Sequence, residues 1–188
     1  MESHIVYWVI GGAGGLVLAV IETLLIRALF RAAPPHRLLV VSGRRYRQGH
    51  ETRGFAVHGG LRAVIPVVER VEEQDTTCVP CGVEVRNAYL KGAVPVTVRW
   101  FALVRVSRDP EVVHDAVERF LGRPAAEVGQ VATETLEGAA RGALAKISPE
   151  NLDHLTLFEV LLLEGSPPLR AMGLELVHLS IESFGKEV

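Results

Sequence analysis

From Ile5 to Ile21 the chain carries no charged side chain. A helix needs about 20 predominantly apolar residues to cross a hydrocarbon core of about 30 Å. Tyr7 and Trp8 stand at one end of the run, where amphipathic rings anchor to headgroups. The apolar character resumes after Glu22 and fades at Arg27 and Arg31. The residues before the run hold Glu2 and no Lys or Arg, whereas Arg27, Arg31, Arg37, Arg44, Arg45 and Arg47 follow it. Basic flanks stay cytoplasmic, so the expected orientation puts the N-terminus outside and the remainder inside. A cleaved signal peptide would need a basic n-region, which is missing, and a shorter apolar run. A buried core helix is the other competing reading.

The expected layout is a membrane-spanning helix with its flanks over residues 1–31, a Pro34-Pro35 linker over 32–37 and one domain over 38–188. Within the span Gly11, Gly15 and Ala19 fall four apart on one face, a spacing that allows close helix approach. Glu22 lies near the inner end, where a carboxylate must meet water, take up a proton or find a partner; reaching the interface is the favoured reading, since end positions cost little.

The rest of the 188 residues suffices for one domain with a real core. The net charge of −2 gives no global basic field for nucleic acid. The basic residues concentrate just after the span, which suits anionic headgroups. Cys78 and Cys81 form a C-x-x-C, but in a Thr/Val/Pro-rich β-like stretch rather than at the start of a helix. One such pair cannot complete a four-ligand zinc site. A reduced pair is expected on the cytosolic side. Nucleophile elbow, phosphate-binding glycine loop and H-E-x-x-H are all missing from the sequence. Gly11 to Gly15 is glycine-rich, but it lies inside the apolar run. The expectation is a protein that is not an enzyme, with no catalytic, cofactor or metal site.

Strand signals begin at Leu38–Val41 and continue through Phe55–Val57, a turn at His58-Gly59-Gly60, Leu61–Val68 interrupted by Pro66, Val71–Cys78 and Gly82–Val85. The clearest strand is Ala93–Val106. Val94, Val96, Val98, Trp100, Ala102, Val104 and Val106 fall on one face, and Pro95 suggests an edge position or a strand start. Asp109 and Pro110 then predict a helix start and Gly122 its stop. A second helix is predicted from about Pro124 to Ile147, with Val128, Val131, Thr135, Leu136, Ala139, Ala143 and Ile147 as its buried stripe. Ser148 and Pro149 predict a third helix, broken at Gly165, Ser166, Pro167 and Pro168. Leu174–Ile181 closes the chain as a strand. Strands, then helices, then one strand make an α+β fold.

In this order the motifs resemble the SPFH (band 7, prohibitin-homology) domain, in its flotillin-like branch. Leu39-Val40-Val41-Ser42-Gly43 is similar to the first strand after the anchor. Gly59-Gly60 with Val64-Ile65-Pro66-Val67-Val68-Glu69-Arg70-Val71 resembles the family's glycine pair and proline-containing strand. Gly92-Ala93-Val94-Pro95-Val96-Thr97-Val98 resembles its G-V-P-V-x-V strand. Phe120-Leu121-Gly122 and Glu134-Thr135-Leu136-Glu137-Gly138, with Arg141 beyond, resemble its helices, and Met172-Gly173-Leu174-Glu175 its final strand.

The resemblance implies an antiparallel or mixed sheet packed by helices, leading strands that touch the leaflet, and a non-enzymatic scaffold that forms homo-oligomers. Such a scaffold organises membrane lipids and proteins into microdomains, in bacteria often with an NfeD-type membrane partner. It implies an oligomer or packing role for Glu134, Glu137, Gly138 and Arg141, and no catalytic residues. An anchored accessory module for a membrane protease or transporter is the alternative. Two departures stand out. Flotillins continue into a long coiled coil, whereas this sequence stops at Val188; if that is the native length, assembly would rest on the domain and the membrane helix, and if the native chain is longer, nothing is contradicted. The third helix carries Leu155, Leu157, Phe158, Val160, Leu161, Leu162 and Leu163, which implies burial, a partner surface or bilayer contact.

Overall fold

The computed structural model describes residues 18–24, 26, 27, 29–48, 51–65 and 68–186. Residues 18–24, 26, 27 and 29 are helical. The strands that follow are β1 (Phe30–Ala32), β2 (Arg37–Gln48), β3 (Glu51–His58), β4 (Leu61–Ala63), β5 (Arg70–Asp75), β6 (Val79–Leu90), β7 (Val94–Val106) and β8 (Leu174–Lys186). Between β7 and β8 come α1 (Val113–Phe120), α2 (Ala125–Leu144), a 3-10 turn (Pro149–Asn151) and α3 (His154–Arg170). This is the expected α+β order. The chain divides into two compact units. The first comprises residues up to Pro35 and Leu39–Val71, the second His36–Leu38 and Glu72–Val188.

In the first unit β1 pairs antiparallel with β4, Arg31 opposite Arg62. Ala33 N donates to Gly60 O and Val64 N to Leu29 O, extending the ladder at both ends. β2 pairs antiparallel with β3, Leu39 opposite His58 and Val41 opposite Ala56. Leu39, Val40 and Val41 are all buried, with Ala56 and Val64. The β2–β3 register shifts between Ser42 and Tyr46. Gly43 sits in this bulge at φ +113, and an added Cβ would lie 2.2 Å from the Val68 carbonyl oxygen. Only glycine fits there without displacing backbone.

The second unit is built on β7. Its alternation holds: Val96, Val98, Trp100, Ala102, Val104 and Val106 are buried. β7 is the central strand of an antiparallel sheet ordered β6-β7-β8, so Pro95, its second residue, marks a strand start and not an edge. α2 packs on β6 and α3, and α3 packs on β8. Fully burying each of Leu136, Leu144, Leu157, Leu161 and Leu169 contributes about 1.5–3 kcal/mol.

Several expected boundaries move. The chain leaves the helix at Leu29 and enters β1 before the prolines. The expected strand over Leu61–Val68 shrinks to β4, because Val68 N and Glu69 N both turn back to Ile65 O. Asp109 closes a turn through Glu111 N, but the regular helix starts at Val113. The buried stripe of α2 is Val128, Ala132, Leu136, Ala140, Ala143 and Leu144, while Val131, Thr135 and Ala139 are half-buried beside it.

The third helix starts at His154, where the Asp153 carboxylate accepts from Thr156 N at 2.8 Å. It runs through Pro167 and Pro168 instead of breaking at them. The prolines deprive the carbonyls of Leu163 and Glu164 of their i+4 donors. Leu163 is 72% exposed, so water can replace the donor there, and the helix carries on because Ala171 N donates to Pro167 O. β8 extends five residues beyond the expected end. A register shift between Leu103 and Val104 places Val177 in a bulge, so Leu174 and Leu179 both turn inward although they are an odd number of residues apart.

Candidate membrane-facing and assembly surfaces

Tyr7, Trp8, Gly11 and Gly15 lie outside the described residues, as does the apolar run up to Val17. Among the described residues no helix is long and apolar enough to cross a membrane. Ala19, Glu22 and Arg27 lie on the helical residues and Arg31 on β1, all exposed. Leu18, Val20, Ile21, Leu24 and Ile26 are exposed too. An apolar helix exposed all round calls for lipid or protein around it.

The first unit adds apolar groups that the sequence reading did not single out. Phe30 on β1, Leu61 on β4, and Ile65 and Val68 in the turn beyond are all exposed, Leu61 at 71%. Arg31 and Arg62 face each other in the β1–β4 register. Apolar side chains interspersed with guanidiniums suit a headgroup boundary. The signal was weak in sequence: Phe30 read as the tail of a helix, and Leu61 as one residue of a longer strand.

Beneath this ladder lies a polar network. Glu69 is 8% exposed. Its Oε1 accepts from the Tyr46 hydroxyl at 2.8 Å and its Oε2 from Ile65 N at 3.1 Å. Arg62 Nη2 stands 3.9 Å from the same carboxylate, and the guanidinium lies 5.4 Å from the centre of the Tyr46 ring. The buried charge is therefore paired and hydrogen-bonded, as such a charge must be. His58 Nε2 is buried with no hydrogen-bond partner among the described residues. Burial pulls this imidazole below its ordinary pKa, Arg62 adds to the effect, and Glu69 opposes it.

The second unit presents a different surface. On α3 the apolar run divides by face: Leu157 and Leu161 are buried, Phe158 and Val160 half-buried, and Leu155, Leu162 and Leu163 exposed. On α2 the structure brings part of the expected assembly motif together. Arg141 Nη2 donates to Glu137 Oε1 at 2.8 Å and its Nη1 to the carbonyl of Arg86 at 3.3 Å, tying the helix to β6. Glu134 accepts from Gln130 Nε2 at 3.0 Å. Gly138 is exposed, and a Cβ there would meet nothing within 4 Å.

Cys78 is exposed and Cys81 buried, both as free thiols. The Cys81 thiol points to the carbonyl of Gly129 at 3.6 Å, and burial pushes its pKa up, which disfavours the reactive thiolate. No group of three or more metal-ligating side chains occurs among the described residues.

Comparison with known proteins agrees with this architecture. The family model described as "SPFH domain / Band 7 family" matches residues 31–162. The chain is 26% identical to flotillin-1 of Homo sapiens over 159 residues, covering 83% of this chain and 36% of that protein. Flotillin-1 of Mus musculus matches to the same extent. Flotillin-1 of Drosophila melanogaster is 29% identical over 161 residues, covering 84% of this chain and 37% of that protein. The chain thus spans little more than a third of the length of these curated relatives. The match covers more than half of the sequence and runs from β1 into α3. The chain belongs to the SPFH domain / band 7 family.

Proposed function

We propose that this protein is a flotillin-like membrane scaffold. It self-associates on the cytoplasmic face of the membrane and organises lipids and membrane proteins into microdomains. The N-terminal apolar segment holds it there as a single-pass anchor, with the N-terminus outside. The observation that carries this reading is the gathering of exposed apolar side chains in the first unit, from Leu18 through Phe30, Leu61, Ile65 and Val68, beside Arg27 and Arg31. Soluble domains rarely leave such groups contiguous and uncovered.

Electron microscopy of the full chain extracted in mild detergent, with flotation on anionic vesicles, tests it. Large closed oligomers that float are expected. A monodisperse monomer, or protein that stays in the soluble fraction, would overturn it. The exposed face of α3, with Leu155, Leu162 and Leu163, favours a second reading as an accessory module for a membrane protease, a transporter or an NfeD-type protein. That reading predicts a stoichiometric crosslinked partner and little self-assembly.

A further inference from the structure

Charge is divided unevenly between the two units. The first unit holds eight arginines and four glutamates, a positive surplus in a chain whose overall net charge is −2. An anionic surface is therefore the one this unit attracts. The surplus is concentrated at one defined place. Arg31 on β1 stands directly opposite Arg62 on β4. Residues so paired share one face of the ladder with Cβ atoms about 5 Å apart, where like charges are destabilising. Glu69 compensates one of the two, its carboxylate lying 3.9 Å from Arg62 Nη2. Among the described residues the exposed Arg31 side chain has no ion pair and no hydrogen bond.

The opposite face of the same ladder is apolar throughout. Side chains alternate between the faces of a strand, so Phe30 lies with Ala63, and Ala32 with Leu61, on the side away from the arginines. All four are exposed. A ladder of two strands is marginal in water and gains from a cover on such a face. The chain enters β1 directly from the exposed apolar helical residues Leu18, Val20, Ile21, Leu24 and Ile26, and Val64 N donates to Leu29 O. The medium that surrounds that helix thus continues over the ladder. On a bilayer, a ladder laid apolar side down keeps its other face level with the headgroups, where guanidiniums meet phosphates.

We propose that Arg31 and Arg62 together hold the phosphate of one anionic phospholipid per chain, with Phe30 and Leu61 among its acyl chains. The phosphate supplies the counter-charge that the opposed guanidiniums lack. Arg62 is the fixed arm of this clamp, set by Glu69 and by the Tyr46 ring, whose centre lies 5.4 Å away. Arg31 is the arm left to close on the ligand. A zwitterionic headgroup carries its own ammonium and leaves the surplus uncompensated, so the clamp selects an anionic lipid. This inference rests on the membrane-scaffold reading, and adds to it the class of lipid that the first unit selects and the residue that selects it.

The test uses the full chain in mild detergent and native mass spectrometry, with phosphatidylglycerol or phosphatidylcholine of identical acyl chains. One phosphatidylglycerol per chain is expected to be retained, with an affinity about tenfold above that for phosphatidylcholine. Arg31→Gln, at an exposed position, is expected to remove about that factor, and Arg31→Lys to restore part of it, because an ammonium keeps the charge but not the fork. Arg62 is left in place because it compensates the buried Glu69. Leu61→Ser is expected to weaken retention at least about threefold, and inorganic phosphate not to displace the lipid. The proposal is overturned if both lipids are retained alike, or if Arg31→Gln retains phosphatidylglycerol as the parent chain does. Displacement by inorganic phosphate, with Leu61→Ser unaffected, would overturn the lipid in favour of a free phosphate. Flotation on vesicles of phosphatidylcholine alone separates the two readings. A parent chain that fails to float overturns the scaffold and this site with it, whereas one that floats yet retains both lipids alike overturns the site alone.

Discussion

The two units solve the problem of stability differently. The second buries Trp100 with the Val-rich face of β7 and the leucines of α2 and α3, and keeps most of its large apolar groups from water. The first has a small core around Leu39, Val40, Val41, Ala56 and Val64, yet exposes Leu18, Val20, Ile21, Leu24, Ile26, Phe30, Leu61, Ile65 and Val68. A domain that closes its own core needs no neighbour. A unit that leaves this much apolar surface outside draws stability from whatever covers it. On this contrast the second unit is expected to fold on its own, and the first to gain stability from whatever covers its exposed apolar groups.

The largest expected effect breaks the second unit alone. Gly173 joins α3 to β8 at φ +81, and an added Cβ would stand 2.2 Å from Ala116 N and 2.4 Å from Ala116 Cβ. Gly173→Val combines a forbidden backbone with a clash against α1 and is expected to cost more than about 4 kcal/mol. Chemical denaturation followed by the fluorescence of Trp100 reads it. A cost below about 1 kcal/mol would mean that α1 yields easily. Gly43→Ala is the counterpart in the first unit. The obstacle there is the Val68 carbonyl, which cannot rotate away as a side chain would, and about 3 kcal/mol is expected. Hydrogen exchange should accelerate at residues 39–41 and 56 while β7 keeps its protection. Equal loss in both units would refute their separation.

Acid sharpens the comparison. His58 has a folded pKa below its ordinary 6.5, so the unfolded chain binds the proton more readily. Its contribution to stability is present above about pH 6.5 and is lost as pH falls from there through the depressed folded value. Glu84, on β6, is held down to about 2 by hydrogen bonds from Arg86 and Arg99. Its contribution persists above the ordinary carboxylate value of 4.5 and is lost only as pH falls towards 2. Between pH 7.5 and 5.5 the first unit should therefore loosen before the second. Hydrogen exchange at the two pH values checks this, and His58→Gln should remove the difference.

The legible part of the fold was the part dictated by local rules. The period-two pattern of β7 and the helical-period apolar residues Val128, Leu136 and Ala143 of α2 announced their elements, because burial on one face imposes a pattern a reader can count. What stayed hidden depended on distant partners. β1 exists because Phe30–Ala32 finds Leu61–Ala63, and nothing within three residues encodes that pairing. α3 runs through two prolines because its Leu157, Leu161 and Leu169 are packed into the core, which offsets two lost backbone hydrogen bonds. The Glu69 network joins residues from β2, β4 and the turn before β5, and spacing alone could not assemble it. The acidic motif on α2 was found in sequence, but only the structure ties Arg141 to the backbone of β6.

A smaller effect concerns the β6–β7 turn of the second unit. Ala93 sits at φ +62, where a side chain crowds its own backbone. Ala93→Gly should relieve about 1 kcal/mol of strain, partly offset by the greater freedom of the unfolded chain. A modest rise in the denaturation midpoint of the second unit is expected, with the first unchanged. A fall would show that the turn is held by contacts of the methyl group.

The smallest expected effect is the most informative about assembly. Glu137 and Arg141 form an i,i+4 pair on α2, both partly exposed. Such pairs contribute about 0.3–0.5 kcal/mol to folding, so Glu137→Ala should scarcely move the denaturation midpoint. Its effect on oligomers is a separate quantity. If the exposed stripe from Glu134 through Gly138 to Arg141 meets a neighbouring copy, removing Glu137 leaves Arg141 without its carboxylate at the contact and should shrink the particles measured by sedimentation. If it faces water, particle size and stability both stay put. The dissociation of these two readouts, not the size of either, distinguishes a helix surface that assembles from one that is only solvated.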